Sequence, residues 1–131
     1  MADSKSALID AAVRARANAV ARFSGFAVGA ALEAGDGAVH SGCNVENASY
    51  GLSMCAERVA LFKALSEGAR EFRRIAIVSQ SETPATPCGA CRQLLWEFCG
   101  DIEVVLSNLD GVTETIQLAT LVPRPFDASF L

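Results

Sequence analysis

The spacing of three cysteines constrains this chain more than any other feature. Cys55 stands two residues before a carboxylate in Cys55-Ala56-Glu57-Arg58, and Cys88 and Cys91 form a C-x-x-C pair in Pro87-Cys88-Gly89-Ala90-Cys91-Arg92. Thiolate sulfurs suit a soft-to-borderline ion such as zinc, and three protein ligands leave one tetrahedral corner open for water. An open corner points to catalysis, because a purely structural zinc site closes with a fourth protein ligand. Glu57 lies too close in sequence to Cys55 to supply that ligand, so its carboxylate is free to move protons. Any fold for this chain must bring two segments distant in sequence to one point.

A length of 131 residues fits one domain, 1–131, with a continuous core and no internal linker. The net charge of -4 and isoelectric point near 4.9 work against a partner bound mainly through phosphates, so no nucleic acid is expected. A small neutral substrate fits better. Hydrophobic residues make up 51% of the chain and the mean hydropathy is +0.29, high for a domain with this much surface, which predicts apolar area buried between subunits. No apolar run reaches the ~20 residues of a membrane span, and the first residues lack the basic, then hydrophobic, then small pattern of a leader. The expectation is a cytoplasmic protein with no membrane partner. Of the five cysteines, the two outside the metal set, Cys43 and Cys99, are expected as reduced thiols in a reducing compartment.

Along the chain, residues 6–22 alternate Ala, Leu, Ile and Val with Asp10, Arg14, Arg16 and Asn18 at near-helical spacing, which predicts a first helix with Ser4 or Ser6 as N-cap. Residues 27–33 and 39–44 flank the turn residues Gly35-Asp36-Gly37 and read as a hairpin. A helix is predicted over 55–64, with Gly68 near its end, and another from Pro87 toward Gly100. The short apolar runs 75–79 and 104–107 follow helices, as buried strands of a β-α-β arrangement do, and Asn108-Leu109-Asp110-Gly111 turns the chain into 113–117. These elements give an α/β fold with a mixed five-stranded sheet and helices on both faces. His40, late in the hairpin, reads as a solvated side chain rather than a ligand.

Both cysteine groups fall at predicted helix N-termini. Three thiolates around a divalent ion leave a net charge of about -1, which opposes ionisation of water at the metal, whereas helix dipoles and a nearby cation pull the other way. Asn44 and Glu46 lie two apart at the end of a strand, so their side chains share a face. Glu46 accepts hydrogen bonds and Asn44 both donates and accepts, which suits the recognition of hydroxyls. Phe23 and Phe26 flank Ser24-Gly25, and Phe23 reads as a core ring.

Four ordered motifs, at 26–32, 42–50, 55–58 and 87–93, resemble those of the cytidine deaminases, in the small branch whose zinc ligands are all cysteine. The resemblance covers nearly the whole chain. It implies a three-layer α/β/α cytidine deaminase-like fold, one zinc ion per chain held by Cys55, Cys88 and Cys91, and hydrolytic deamination of cytidine and deoxycytidine to uridine and deoxyuridine in pyrimidine salvage. By the same resemblance Glu57 shuttles protons and Arg58 hydrogen-bonds the sulfurs and drains their charge. Phe26 offers a ring face to the base, and Asn44 and Glu46 hold ribose at the head of a loop that runs to Tyr50. The backbone carbonyls of Ala56 and Thr86 orient the exocyclic amine. Leu121-Val122-Pro123 resembles the family's Leu-Leu-Pro segment, after which Phe126 helps close the pocket of a neighbouring subunit in a homotetramer with shared active sites; the sequence alone does not separate this from docking of the tail on its own chain. The chain departs from the family at Phe23, where Tyr is common, and at Gly51, where Pro is common. The nearest rival is a deaminase of a related aminopyrimidine nucleoside such as a nucleoside antibiotic. A deaminase of bases within RNA or DNA would need basic surface, and a non-catalytic zinc module would need a fourth ligand.

Overall fold

The computed structural model describes residues 4–131. Five strands form one sheet in the order β2-β1-β3-β4-β5, with β1 at Val28–Ala34, β2 at Val39–Cys43, β3 at Phe72–Ser79, β4 at Glu103–Asn108 and β5 at Thr113–Gln117. The β3–β4 pair is parallel and the other three pairings are antiparallel, so the sheet is mixed as expected. Helices α1 (Ser4–Arg16), α2 (Ala56–Ser66), α3 (Gly89–Cys99) and the short α4 (Leu118–Leu121) cover it.

The three central strands are nearly continuous apolar runs because both their faces are covered. On one face Ala31, Ala76, Val78 and Val105 pack under Leu8 and Ala12 of α1. On the other, Ala30, Leu32, Ile75, Ile77, Val104 and Leu106 meet Ala56, Ala60, Leu61 and Ala64 of α2 and Leu95 of α3. Alternation along the strands thus assigns successive residues to opposite layers, and the result is the three-layer α/β/α arrangement. Two glycines let the helices come this close. A Cβ at Gly29 would lie 1.9 Å from the Ala12 carbonyl oxygen, and one at Gly42 would lie 2.7 Å from the Ala60 nitrogen.

Three expectations from the sequence need correction. The first helix stops at Arg16 instead of continuing to Arg22, and Ser4 and Ser6 lie within it. Beyond Arg16 the backbone is claimed by tertiary pairing: Val20 donates its N–H to Asn44 O at 2.9 Å and accepts from Glu46 N at 2.8 Å, in a parallel bridge beside Val45. Helical periodicity in 17–22 loses to those two bonds. Second, His40 is not solvated, since its side chain is 13% exposed and Nδ1 stands 3.5 Å from Glu67 Oε1. Third, Phe23 is not a core ring, being 47% exposed. Cys43 and Cys99 are unpaired thiols, and burial pushes the Cys99 thiol up to about 12.

The close approach of α1 gives a direct test. Gly29→Ala forces a methyl into the Ala12 carbonyl, so it should destabilise the fold by roughly 3 kcal/mol, the upper end for added core volume. Thermal unfolding should show the midpoint falling by on the order of 10 °C. An unchanged midpoint would contradict the packing described for α1.

Candidate active site

The sulfur cluster is assembled by two helix starts. Cys55 is the N-cap of α2 and Cys88 the N-cap of α3, both with extended backbone, and Cys91 lies buried in the first turn of α3. Pro87, also buried, precedes the second of these starts and denies a helical conformation to the residue before it. The three Sγ atoms all lie within 4.8 Å of one another, with Cys55 and Cys88 3.7 Å apart. Tetrahedral zinc with Zn–S bonds of about 2.3 Å requires sulfurs separated by about 3.8 Å, so the donor set fits the ion in both chemistry and spacing.

The charges around the cluster are arranged to hold thiolate. Hydrogen bonding from Cys91 lowers the Cys55 thiol to about 5 against the opposing effect of burial, with Arg58 and Cys88 acting in the same direction. The same contact with Cys55, together with burial, raises Cys91. Arg58 Nη2 donates to Cys55 Sγ at 3.3 Å, and this contact raises the pKa of the guanidinium. Arg58 Nε is buried with no hydrogen-bond partner among the described residues, so the sulfurs are the guanidinium's principal company.

Glu57 sits in the first turn of α2 and is only 5% exposed. Burial raises its carboxyl to about 7, and the Cys55 thiolate pushes in the same direction. A carboxyl poised near neutrality can both take and return a proton.

Cys55, Glu57 and Cys88 line a cavity of about 280 Å³ together with Ser24, Phe26, Val28, Asn44, Glu46, Ala56, Ile77, Ala85 and Thr86. Its lining combines apolar Phe26, Val28 and Ile77 with a few polar groups, Asn44, Glu46, Glu57 and Thr86, which is the make-up of a small-molecule site. Asn44 is locked in place: Oδ1 accepts from Val28 N at 2.8 Å and Nδ2 donates to Phe26 O at 2.9 Å. Glu46 Oε1 accepts from the backbone N–H groups of Phe23 and Ser24, each at 3.0 Å, and Oε2 accepts from the Ser24 hydroxyl. The Ser24 hydroxyl is the largest cause holding the Glu46 carboxyl below the usual range.

Eight sequence-predicted residues therefore share this cavity or its sulfur cluster directly: Phe26, Asn44, Glu46, Ala56, Glu57, Cys55, Cys88 and Cys91. Arg58 joins them through sulfur, and Thr86 lines the cavity. Tyr50 lies one cavity over, 74% exposed, in a space of about 330 Å³ lined by Phe23, Ser24, Glu46, Tyr50 and Ser53. Its ring meets Phe23 edge to face at 6.0 Å. Phe126 lines neither cavity. The tail docks on α3 of its own chain, with Gln93 Nε2 donating to Phe126 O at 2.7 Å and Trp96 Nε1 to Asp127 Oδ2 at 2.9 Å. The Phe126 ring stays 62% exposed and stacks on Phe130 at 5.3 Å.

Sequence reasoning missed Ser24, Val28, Ile77 and Ala85 as cavity residues, and it missed Arg92 as a brace. Arg92 donates to Pro87 O at 2.7 Å, Thr86 Oγ1 at 2.8 Å and Leu121 O at 3.1 Å, tying the loop before Cys88 to the C-terminal segment. The only sequence signal for Ser24 was its place beside Gly25, which takes a positive φ of 69° in the turn that follows the two N–H groups bonded to Glu46.

Comparison with known proteins agrees with this geometry. Residues 2–107 match the family described as the cytidine and deoxycytidylate deaminase zinc-binding region. A cytidine deaminase of Halalkalibacterium halodurans is 51% identical over 122 residues, 92% of each chain, and one of Sporosarcina psychrophila is 48% identical over 120 residues, 91% of this chain and 88% of that one. The crystal structure of cytidine deaminase from Burkholderia pseudomallei superposes with a TM-score of 0.88 at 52% identity, covering 92% of this chain and 97% of the other.

Zinc content tests the sulfur cluster. Cys88→Ala removes one of three ligands, so elemental analysis of the purified variant should show zinc falling from near one per chain to a small fraction, with stability falling alongside. Near-stoichiometric zinc in an active variant would remove Cys88 from the ligand set.

Proposed function

The chain belongs to the cytidine deaminase family, and from that premise we propose that Glu57, working beside the Cys55, Cys88 and Cys91 cluster, carries out hydrolytic deamination of cytidine and deoxycytidine. One observation carries the assignment of roles: a buried carboxyl raised to about 7 shares one cavity with sulfurs of the cluster and with Asn44 and Glu46. The carboxyl beside the sulfurs suits proton transfer at a base, and the Asn44 and Glu46 pair suits a sugar.

Zinc held by the three cysteines supplies Lewis acidity that makes water a usable nucleophile near neutral pH. Glu57 takes a proton from the attacking water and delivers it to N3 of the cytosine ring as the oxygen adds to C4. It then takes the proton of the new C4 hydroxyl and gives it to the amino group. The C4–N4 bond breaks, ammonia leaves, and C4 becomes the carbonyl of uridine. Water in and ammonia out balance the reaction, with Glu57 returned to its starting state. Arg58 offsets sulfur charge. Phe26 stacks on the base, Asn44 and Glu46 receive the sugar, Tyr50 closes its outer side, and the carbonyls of Ala56 and Thr86 accept from the exocyclic amine.

The assembly we propose is a homotetramer of single-domain subunits with shared active sites, in which Phe126 of one subunit covers a neighbour's pocket. Its support is the exposure of Phe126, Phe130, Tyr50 and Leu52, a set of large apolar side chains costly to leave in water. No helix among the described residues is long and apolar enough to cross a membrane; the location we propose, as part of this reading, is the cytoplasm, in pyrimidine salvage.

Loss of the cytosine chromophore with cytidine, deoxycytidine, CMP, cytosine and an aminopyrimidine nucleoside antibiotic tests the substrate. Both nucleosides should react, and CMP should be poorer by at least ~10²-fold in kcat/KM, because a 5′-phosphate entering an acidic site meets like charge and leaves polar groups unpaired. Turnover of the antibiotic without turnover of cytidine would favour the rival reading.

Glu57→Gln keeps the size of the side chain and removes its proton cycle. Steady-state turnover should fall at least ~10²-fold with zinc retained. Wild-type turnover in this variant would end the proposed mechanism, and loss of metal would make Glu57 structural.

A further inference from the structure

We propose that Ser24 is the positioning residue that fixes Glu46 as an acceptor for a single sugar hydroxyl. The proposal rests on the reading of Glu46 as a sugar contact given above.

A carboxylate offers about four lone-pair sites, two on each oxygen. On Glu46, Oε1 is filled by two backbone donors, Phe23 N and Ser24 N, both at 3.0 Å. Oε2 accepts from the Ser24 hydroxyl, and Asn44 Nδ2 stands at the long distance of 3.5 Å. The long Asn44 contact is the weakest of the four, so its place on Oε2 is the one a ligand hydroxyl would take. The direction of the Ser24 proton follows from its other bond. Ser24 Oγ accepts from Phe26 N at 3.0 Å, which leaves the hydroxyl proton for Glu46. The turn that holds this serine is itself held by Gly25, with φ at 69° and its N–H on Ala21 O at 2.7 Å.

Ser24 and Glu46 together form the partition between two cavities, of about 280 and 330 Å³. Oε1 is anchored to backbone, so the carboxylate's remaining freedom is a swing of Oε2 about that anchor. The Ser24 hydroxyl stops that swing. Without it, Oε2 can turn toward the cavity of Phe23, Tyr50 and Ser53 and away from the one that holds Glu57.

The experiment is steady-state kinetics on zinc-loaded enzyme with Ser24→Ala, Ser24→Thr, Glu46→Gln and the Ser24→Ala/Glu46→Gln double variant, using cytidine and its 2′-deoxy and 3′-deoxy analogues. For Ser24→Ala the cytidine KM should rise about tenfold or more, the size expected for losing a hydrogen bond to a charged group, while kcat stays within about threefold and zinc content is unchanged. The penalty for removing the recognised hydroxyl should shrink in Ser24→Ala, and Ser24→Thr should restore KM. In the Glu46→Gln background Ser24→Ala should cost less than twofold further. A KM within twofold of wild type in Ser24→Ala, beside a raised KM in Glu46→Gln, overturns the positioning role alone. Full additivity of the two substitutions also overturns it, since independent residues add. An unchanged KM in Glu46→Gln overturns the sugar-contact reading and this proposal with it.

Discussion

Everything in the site depends on the alignment of strands β2 and β3. Each pairs antiparallel with β1, which lies between them, so β2 and β3 run in the same direction and their carboxyl ends reach the same sheet edge. Phe26, just before β1, arrives at that edge from the opposite direction. Asn44 and Glu46 follow β2 directly, and Ala85, Thr86 and Cys88 follow β3. One edge thus collects aromatic, polar and thiol groups from three loops, which is where open α/β sheets generally present ligand sites. The parallel pairing of β3 with β4 requires a crossover connection. Helix α3 supplies it, and the start of that helix is Cys88.

The electrostatics follow from this placement. Two helix N-termini bring partial positive charge to the sulfurs, and Arg58 adds a full one at 3.3 Å. The same convergence buries Glu57 under α2, where desolvation raises its carboxyl to about 7. A solvated glutamate has a pKa near 4.3 and is a poor acid at neutral pH. Burial that would be a defect elsewhere brings the Glu57 carboxyl near neutrality, as the proposed proton transfer requires, and the α2 packing that causes it relies on Gly42 leaving room for Ala60.

Much of this was legible in the chain. Short-range signals worked where local chemistry and tertiary context agree: the sulfur spacing, the apolar runs of β3 and β4, the turn glycines and the Asn44–Glu46 periodicity. They failed where a distant segment outbids the local pattern. Residues 17–22 have helical periodicity, yet Val20 is taken by the backbone of Asn44 and Glu46. Phe23 then emerges on a turn instead of under the sheet, half exposed beside Tyr50. His40 reads as exposed because nothing local reveals Glu67, which reaches it from the end of α2. Ser24 was invisible for a related reason, since its role is defined entirely by the carboxylate of Glu46.

The short ladder that misled the helix reading also links the Asn44 and Glu46 segment to the first cysteine. Val45 pairs on one side with Val20 and on the other with Met54, through reciprocal bonds of 2.9 Å between Val45 and Met54. Met54 is the residue before Cys55, so the segment holding Asn44 and Glu46 is hydrogen-bonded through its own backbone to the residue that delivers the first sulfur. Distance from Asn44 and Glu46 to the sulfur cluster is therefore set by paired backbone, which resists stretching far better than opposed side chains across a cleft. Such precision matters because a displacement of about 1 Å between a reacting centre and its catalytic group can cost on the order of 10²-fold in rate. The loss of helix beyond Arg16 is the structural cost of that ruler.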